Sequence, residues 1–212
     1  MTVRSTTEPF VIHHRRYDEW FERHRAAYLS ELLAVRAVLP WQGRGLEIGV
    51  GSARFAGPLG VKFGIDPAVE MLAYARARGV SVACAVAEAL PFDDGVFDYV
   101  LIVTTICFVD NPVRMLAEAR RVLRPQGALC IGFIDRDTPL GRFYQAHRNE
   151  NVFYRDAVFY NSAEVEGLLK ETGFCETGWT QTLFGRLEEM TEINPVRPGR
   201  GEGGFAVVRA TA

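Results

Sequence analysis

Apolar and polar positions along the chain alternate between a helical period and short apolar runs. Over residues 17–39 the apolar side chains fall at Tyr17, Trp20, Phe21, Tyr28, Leu32, Val35 and Val38, near the helical repeat, and Pro40 closes the segment. An apolar run through Leu46 and Ile48 then opens into the glycine-rich turn Gly49-Val50-Gly51. Residues 61–65 read as a second strand. Residues 67–78 read as a helix with Pro67 in its first turn and Gly79 at its end. Residues 81–86 and 99–103 are the third and fourth strands, the fourth nearly all apolar, as in sheets covered on both faces. Residues 112–123 form a helix and residues 128–134 a fifth strand. Ser162 reads as the N-cap of a helix through Glu171 that Gly173 ends, and two late β segments, 174–183 and 205–210, finish the chain.

Strands and helices alternating at this spacing predict an α/β fold with a mostly parallel sheet and helices on both faces. In such sheets ligands bind at the carboxyl ends of the strands. The chemistry is expected there.

Length and composition narrow the field. At 212 residues the chain suits one domain, and 48 % hydrophobic residues suffice for its core. A net charge of −2 gives no general attraction to nucleic acid or anionic membrane. No apolar stretch is long enough to span a bilayer, and the first ten residues lack the apolar run of a signal peptide. Cys84, Cys107, Cys130 and Cys175 stand far apart, without metal or redox spacing, which suits a reducing, cytoplasmic setting. No metal site is expected.

Three segments carry candidate chemistry. In Glu47-Ile48-Gly49-Val50-Gly51-Ser52-Ala53-Arg54 two glycines allow a tight turn and close approach of backbone to a ligand. A dinucleotide site would have a third glycine where Arg54 stands, and Glu47 would face a pyrophosphate unfavourably. Asp66, ending the second strand before Pro67, reads either as an acceptor for ribose hydroxyls or as the cap of the next helix. Residues 87–98, Ala-Glu-Ala-Leu-Pro-Phe-Asp-Asp-Gly-Val-Phe-Asp, lead into the fourth strand.

Taken in order, these segments resemble the class I S-adenosylmethionine-dependent methyltransferases, in particular the ubiquinone-biosynthesis-like (type 11) branch. Arg121-Val122-Leu123-Arg124-Pro125-Gln126-Gly127 is similar to that branch's turn before strand five, and the likeness runs from about Gly43 to Phe174. The resemblance implies a Rossmann-like domain over residues 43–212, with a mostly parallel seven-stranded sheet and an antiparallel late strand. It also implies an N-terminal helical lid over residues 1–42. The implied cofactor is S-adenosylmethionine. Gly49 and Gly51 would pass under its methionine part, with Glu47 at the amino group and Asp66 and Pro67 at the ribose. Met71, Ala87 and Glu88 would border the adenine, and Val103 and Thr104 would line the methyl-donor end. Val86 stands where many relatives carry an acid, leaving Glu88 to compensate. Ala53 replaces a third glycine.

The resemblance implies a small-molecule acceptor, with no nucleic acid or membrane partner. Candidate acceptor contacts are Tyr17 in the lid, Cys107 after strand four and Asp135 after strand five. Each has a plainer reading, as core packing, pocket lining or turn stabilisation respectively. The long segment 185–204, bearing Glu188, Glu189 and Glu192, is expected to fold over the acceptor. No catalytic base can be named from the sequence. A cofactor-binding protein without catalysis and an NAD(P)-linked oxidoreductase are the rival readings.

Overall fold

A computed structural model describes residues 6–212. Three helices, α1 (Glu8–Ile12), α2 (His14–Arg23) and α3 (Arg25–Val38), precede β1 (Gly45–Ile48). Then follow α4 (Ala56–Leu59), β2 (Phe63–Asp66), α5 (Val69–Ala77), β3 (Ser81–Cys84), β4 (Phe97–Val103) and α6 (Pro112–Val122). The chain continues through β5 (Leu123–Ile134), α7 (Pro139–Ala146), α8 (Ser162–Glu171), β6 (Cys175–Thr182), β7 (Arg197–Pro198) and β8 (Phe205–Thr211). No helix among the described residues is long and apolar enough to cross a membrane.

The strands form one sheet in the order β3-β2-β1-β4-β5-β8-β6-β7. The five strands β3, β2, β1, β4 and β5 run parallel, and β8 lies antiparallel between β5 and β6. Strand order reverses between β1 and β4, which leaves a crevice at their carboxyl ends. Alternation along β4 explains why residues 99–103 are apolar on both faces. Tyr99, Leu101 and Val103 pack with Ala34 and Val35 of α3 on one face, while Val100 and Ile102 pack with Met115 and Leu116 of α6 on the other. Burying each such Leu, Ile or Val contributes about 1.5–3 kcal/mol.

Several expectations are corrected. The sheet has eight strands rather than seven, because the long segment before β8 adds β7 to the outer side of β6. The single N-terminal helix is broken at His24, whose φ of −112° and ψ of 45° leave the helical region. The bend turns Phe21 and Tyr28 toward each other, ring centroids 5.1 Å apart, so both enter the core. Asn161, not Ser162, caps α8. Its side chain accepts from the Glu164 N–H while the Glu164 carboxylate accepts from the Asn161 N–H.

Candidate active site

The turn after β1 is held open to a ligand by backbone geometry. Gly49 and Gly51 have φ of 72° and 49°, and the N–H groups of Gly49 and Val50 both donate to the Ile65 carbonyl at 2.9 Å. A Cβ on Gly49 would lie 2.2 Å from Thr105 Oγ1, so only glycine lets the β1 and β4 exits approach this closely. Thr105 in turn donates to the Val103 carbonyl at 3.0 Å. Ala53 also has positive φ, 60°, so replacing the third glycine strains the backbone as well as altering helix packing.

Two carboxyl groups flank the turn. Glu47 is buried, and one of its oxygens accepts from the Ala56 N–H at 2.8 Å, capping α4. Burial, reinforced by the nearby Asp66, pushes its pKa well above the usual carboxylate range, although the Ala56 hydrogen bond opposes this. Asp66 accepts from the Gly51 N–H at 2.9 Å and from the Ala68 N–H at 2.8 Å. Burial raises it to about 6 against those two hydrogen bonds. Asp66 does not cap α5, whose N-cap is Ala68 with no side-chain bond; its carboxyl fixes the short turn that precedes the helix and the glycine turn. Pro67 follows it and accepts a weak bond from the Cys84 thiol at 3.7 Å. Met71 is buried, its Cε 3.6 Å from where a Gly51 Cβ would stand, with a Tyr17 ring carbon at 3.9 Å.

Beyond β3, Val86 is 46 % exposed and Ala87 is buried. Glu88 does not turn its carboxylate toward the crevice to replace the missing acid. One oxygen accepts from the N–H groups of Asp110 and Asn111 at 2.8 and 3.1 Å, and its carbonyl accepts from Arg114 at 3.0 Å. It fastens this loop to the start of α6 instead. At the β4 exit Val103 is buried and Thr104 adopts φ of 49°. Thr104 and Cys107 line a narrow cleft with Phe133, Tyr154, Phe159 and Tyr160. Burial pushes the Cys107 thiol up to about 12, and the thiol donates to the Thr104 carbonyl at 3.2 Å.

Asp135 is corrected from an acceptor contact to an internal brace. It is buried and its carboxylate accepts from the Ser162 N–H and hydroxyl and from the Asp137 N–H. Segment 185–204 emerges at the carboxyl edge of β6, but its glutamates 188, 189 and 192 are exposed. The segment is tied to α3 by the Asn194 N–H donating to Ser30 Oγ at 2.8 Å.

Sequence reasoning missed the clasp that holds the N-terminal helices here. Arg54, directly after the turn, donates from Nε and Nη2 to the Asp18 carboxylate at 2.9 and 2.7 Å and from Nη1 to Glu22 at 2.5 Å. Arg78 donates to Asp18 at 2.9 Å and to the Ser52 carbonyl at 2.7 Å. Burial would raise Asp18, but these guanidinium bonds outweigh it and hold the carboxyl at about 2. The signal available was charge alone, an arginine in a glycine turn and an acid in an aromatic helix. The clasp sets Tyr17 against the turn within an aromatic group of Phe10, Phe21 and Phe153. Burial, and then the Asp66 charge, raise the Tyr17 pKa, so the phenol stays protonated.

The profile of the "Methyltransferase domain" family matches residues 46–131, the stretch that builds the turn, both carboxyl positions and β4. A structure from Thermotoga maritima covers nearly all of both chains. It is described as a SAM-dependent methyltransferase, possible histamine N-methyltransferase. It is 48 % identical, spans 97 % of this chain and 99 % of its own, and superposes with a TM-score of 0.94. The chain belongs to the S-adenosylmethionine-dependent methyltransferases. An uncharacterized protein of Methanocaldococcus jannaschii is 44 % identical to this methyltransferase over 92 % of the chain and 94 % of its own length. An uncharacterized methyltransferase of Mycobacterium tuberculosis is 36 % identical over 57 % of this chain and 51 % of its own. The methyltransferase is an enzyme of the type 11 family with the Rossmann-like fold, and its cofactor is S-adenosylmethionine.

Proposed function

We propose that this methyltransferase transfers a methyl group to a small-molecule acceptor enclosed between the β1 and β4 exits and the N-terminal helices. The observation that carries this reading is the bare glycine turn, fixed by Asp66 on one side and covered by Tyr17 on the other. In this assignment Gly49, Gly51 and Glu47 hold the methionine part of the cofactor, and Asp66 with Pro67 holds the ribose. Met71, Val86 and Ala87 hold the adenine, and Val103 and Thr104 border the methyl.

The residues present fit that ligand. Gly51 leaves open the space between Met71 and Tyr17 that a side chain would occupy. Each Asp66 oxygen already accepts one backbone N–H and keeps a further lone pair for a hydroxyl, and the exposed face of Val86 is apolar surface that a purine ring would remove from water. When bound, the cofactor supplies a methyl group on a positively charged sulfur. The chain's own part is mainly alignment, which can contribute several kcal/mol, up to about 10. The Tyr17 ring face favours a nearby cation by about 1 kcal/mol. Neither Tyr17 nor Cys107 serves as a base or nucleophile near neutral pH, since both stay protonated. The first five residues of the expected 1–42 lid lie outside the described residues; in this reading residues 6–42 act as a lid latched through Asp18. The free cysteines support a cytoplasmic setting.

Titration calorimetry tests the site. Asp66→Ala is expected to weaken S-adenosylmethionine and S-adenosylhomocysteine binding about thirtyfold, from charge-assisted bonds totalling about 2 kcal/mol. Unchanged affinity in the folded variant overturns the ribose assignment, and NAD(H) binding without either adenosyl ligand overturns the reading as a whole. Labelled methyl donor incubated with amines, phenols, thiols and carboxylates tests the acceptor class. Label passing only to protein or nucleic acid refutes a small molecule.

A further inference from the structure

Glu31 lies on the inner stripe of α3 with Ala27 and Ala34, positions four and three residues away that are likewise buried. It is 4 % exposed, and among the described residues no hydrogen bond or ion pair reaches its carboxyl. Every other fully packed acid described above is engaged: Glu47 by Ala56 and Asp135 by Ser162 and Asp137. Buried carboxyls are ordinarily paired or hydrogen-bonded, because an unpartnered one is costly to bury.

Anchors along α3 show where this carboxyl sits. Val38 accepts from Cys130 in β5 and Arg209 in β8, Ala34 accepts from Thr180 farther along β6, and Ser30 meets Asn194 beyond the β6 exit. The N-terminal half of α3 therefore rises over the carboxyl edge of the sheet. Tyr28, three residues before Glu31, donates to the Arg54 carbonyl beside the glycine turn at 2.5 Å. Three tyrosines from three other parts of the chain lie close enough for an ionised Glu31 to raise them: Tyr17 of α2, Tyr144 of α7, and Tyr154. Tyr154 joins the two ends of this region, its ring 5.1 Å from Tyr144 and its side chain lining the cleft with Thr104 and Cys107.

We propose that Glu31 is the specificity residue for the acceptor, binding a protonated nitrogen of a small aromatic or apolar amine whose ring packs among Tyr17, Tyr144 and Tyr154. This rests on the methyltransferase reading of the site and deepens it. The buried wall offers a carboxyl, phenolic hydroxyls and apolar rings. The hydroxyls of Tyr144 and Tyr154 have no hydrogen-bond partner among the described residues, so they too are available to a ligand. Two further acids act on this wall, Asp66 on Tyr17 and Glu188, from segment 185–204, on Tyr144. A cation is the ligand charge that this surroundings favours, and an anionic acceptor is disfavoured. The inward-facing acid is thus on α3, and not among the exposed glutamates of the long segment.

Burial alone pushes the Glu31 carboxyl up to about 8 in the free protein. At neutral pH it carries a proton, and an arriving ammonium group displaces it. The tyrosines are raised still further and do not contribute to that exchange. The experiment is calorimetric titration of the S-adenosylhomocysteine-loaded protein at pH 7 with phenethylamine, phenethyl alcohol and phenylacetate. Repeating it in buffers of different ionisation enthalpy counts released protons.

Phenethylamine is expected to bind about thirtyfold more tightly than the alcohol, with close to one proton released. Glu31→Gln and Glu31→Leu are expected to lose both that preference and the proton release while still binding S-adenosylhomocysteine. Equal binding of amine and alcohol, no binding of the amine, or proton release that survives in Glu31→Gln overturns the proposal. Failure of S-adenosylhomocysteine to bind the unmodified protein would instead overturn the cofactor reading.

Discussion

Gly49→Ala perturbs the closest approach in the site, and its effect separates into two parts. At φ of 72° an L-residue pays a backbone penalty of about 1–2 kcal/mol. The new Cβ would also fall 2.2 Å from Thr105 Oγ1 and 2.4 Å from Thr105 Cγ2. Both atoms belong to one side chain pinned by its own hydrogen bond to Val103, so relief requires moving the β4 exit. Overpacking of this kind destabilises by about 1–3 kcal/mol. The sum is a loss of about 2–5 kcal/mol in urea unfolding. Gly51→Ala is the control. It shares the positive φ, but its Cβ would meet nothing nearer than Met71 Cε at 3.6 Å, so only the backbone part of about 1–2 kcal/mol is expected. Adding Thr105→Gly to Gly49→Ala should recover the steric part, giving a favourable coupling of about 1–3 kcal/mol in the double-mutant cycle. A Gly49→Ala protein within about 0.5 kcal/mol of wild type, or one equally destabilised with and without the Thr105 side chain, would refute the steric account.

Three further outcomes are expected. Arg54→Ala should destabilise by about 2–4 kcal/mol, because it removes donors from Asp18 and Glu22 and leaves Arg78 as the remaining guanidinium on Asp18. Hydrogen exchange should quicken in α2 and α3 before it does in β4; uniform exchange would show that the clasp does not hold the lid. Glu31→Gln should alter the pH dependence of stability. The folded carboxyl titrates at about 8 against an ordinary 4.5, so the folded state binds the extra proton between these values and wild-type stability falls as pH rises through that window. The shift corresponds to about 4–5 kcal/mol, and the variant should lack that slope; parallel curves would contradict it. Finally, a colourimetric disulfide reagent should react quickly with the exposed Cys84 and Cys175 and slowly with Cys107 and Cys130, whose thiols are both pushed up to about 12. Rapid labelling of Cys107 would refute its protonated, enclosed state.

The elements legible in the sequence are those set by local constraints. The 99–103 part of β4 is marked by unbroken apolarity, the β1 turn by two glycines, and the approach to α5 by Asp66-Pro67. Each depends on residues within a few positions of one another. What escaped depends on distant partners. Ser162 looks like a helix cap until Asp135, arriving from the end of β5, takes its hydroxyl and leaves capping to Asn161. Glu88 looks free until the N–H groups of Asp110 and Asn111 close on it. Arg54 reads only as a missing glycine, since nothing nearby in sequence announces Asp18 as its partner. Glu31 was accessible in principle. Its spacing from Ala27 and Ala34 places it on the helix stripe that packs inward, but a lone acid among seven apolar positions reads by default as solvent-facing.

The outermost strand, β7, also shapes one edge of the sheet. A sheet edge normally presents alternating N–H and C=O groups that another chain could extend. Here the edge is two residues long. Pro198 has no N–H to give, and the Arg197 guanidinium lies over the Phe184 ring at 4.3 Å. A strand approaching β7 itself would find one amide donor at most and a positive charge beside it. This short strand covers the eight-residue strand β6 at Thr180 and Gln181, close to the end of that strand. The two-residue addition therefore blunts the sheet edge locally, at Thr180 and Gln181, a task quite separate from methyl transfer.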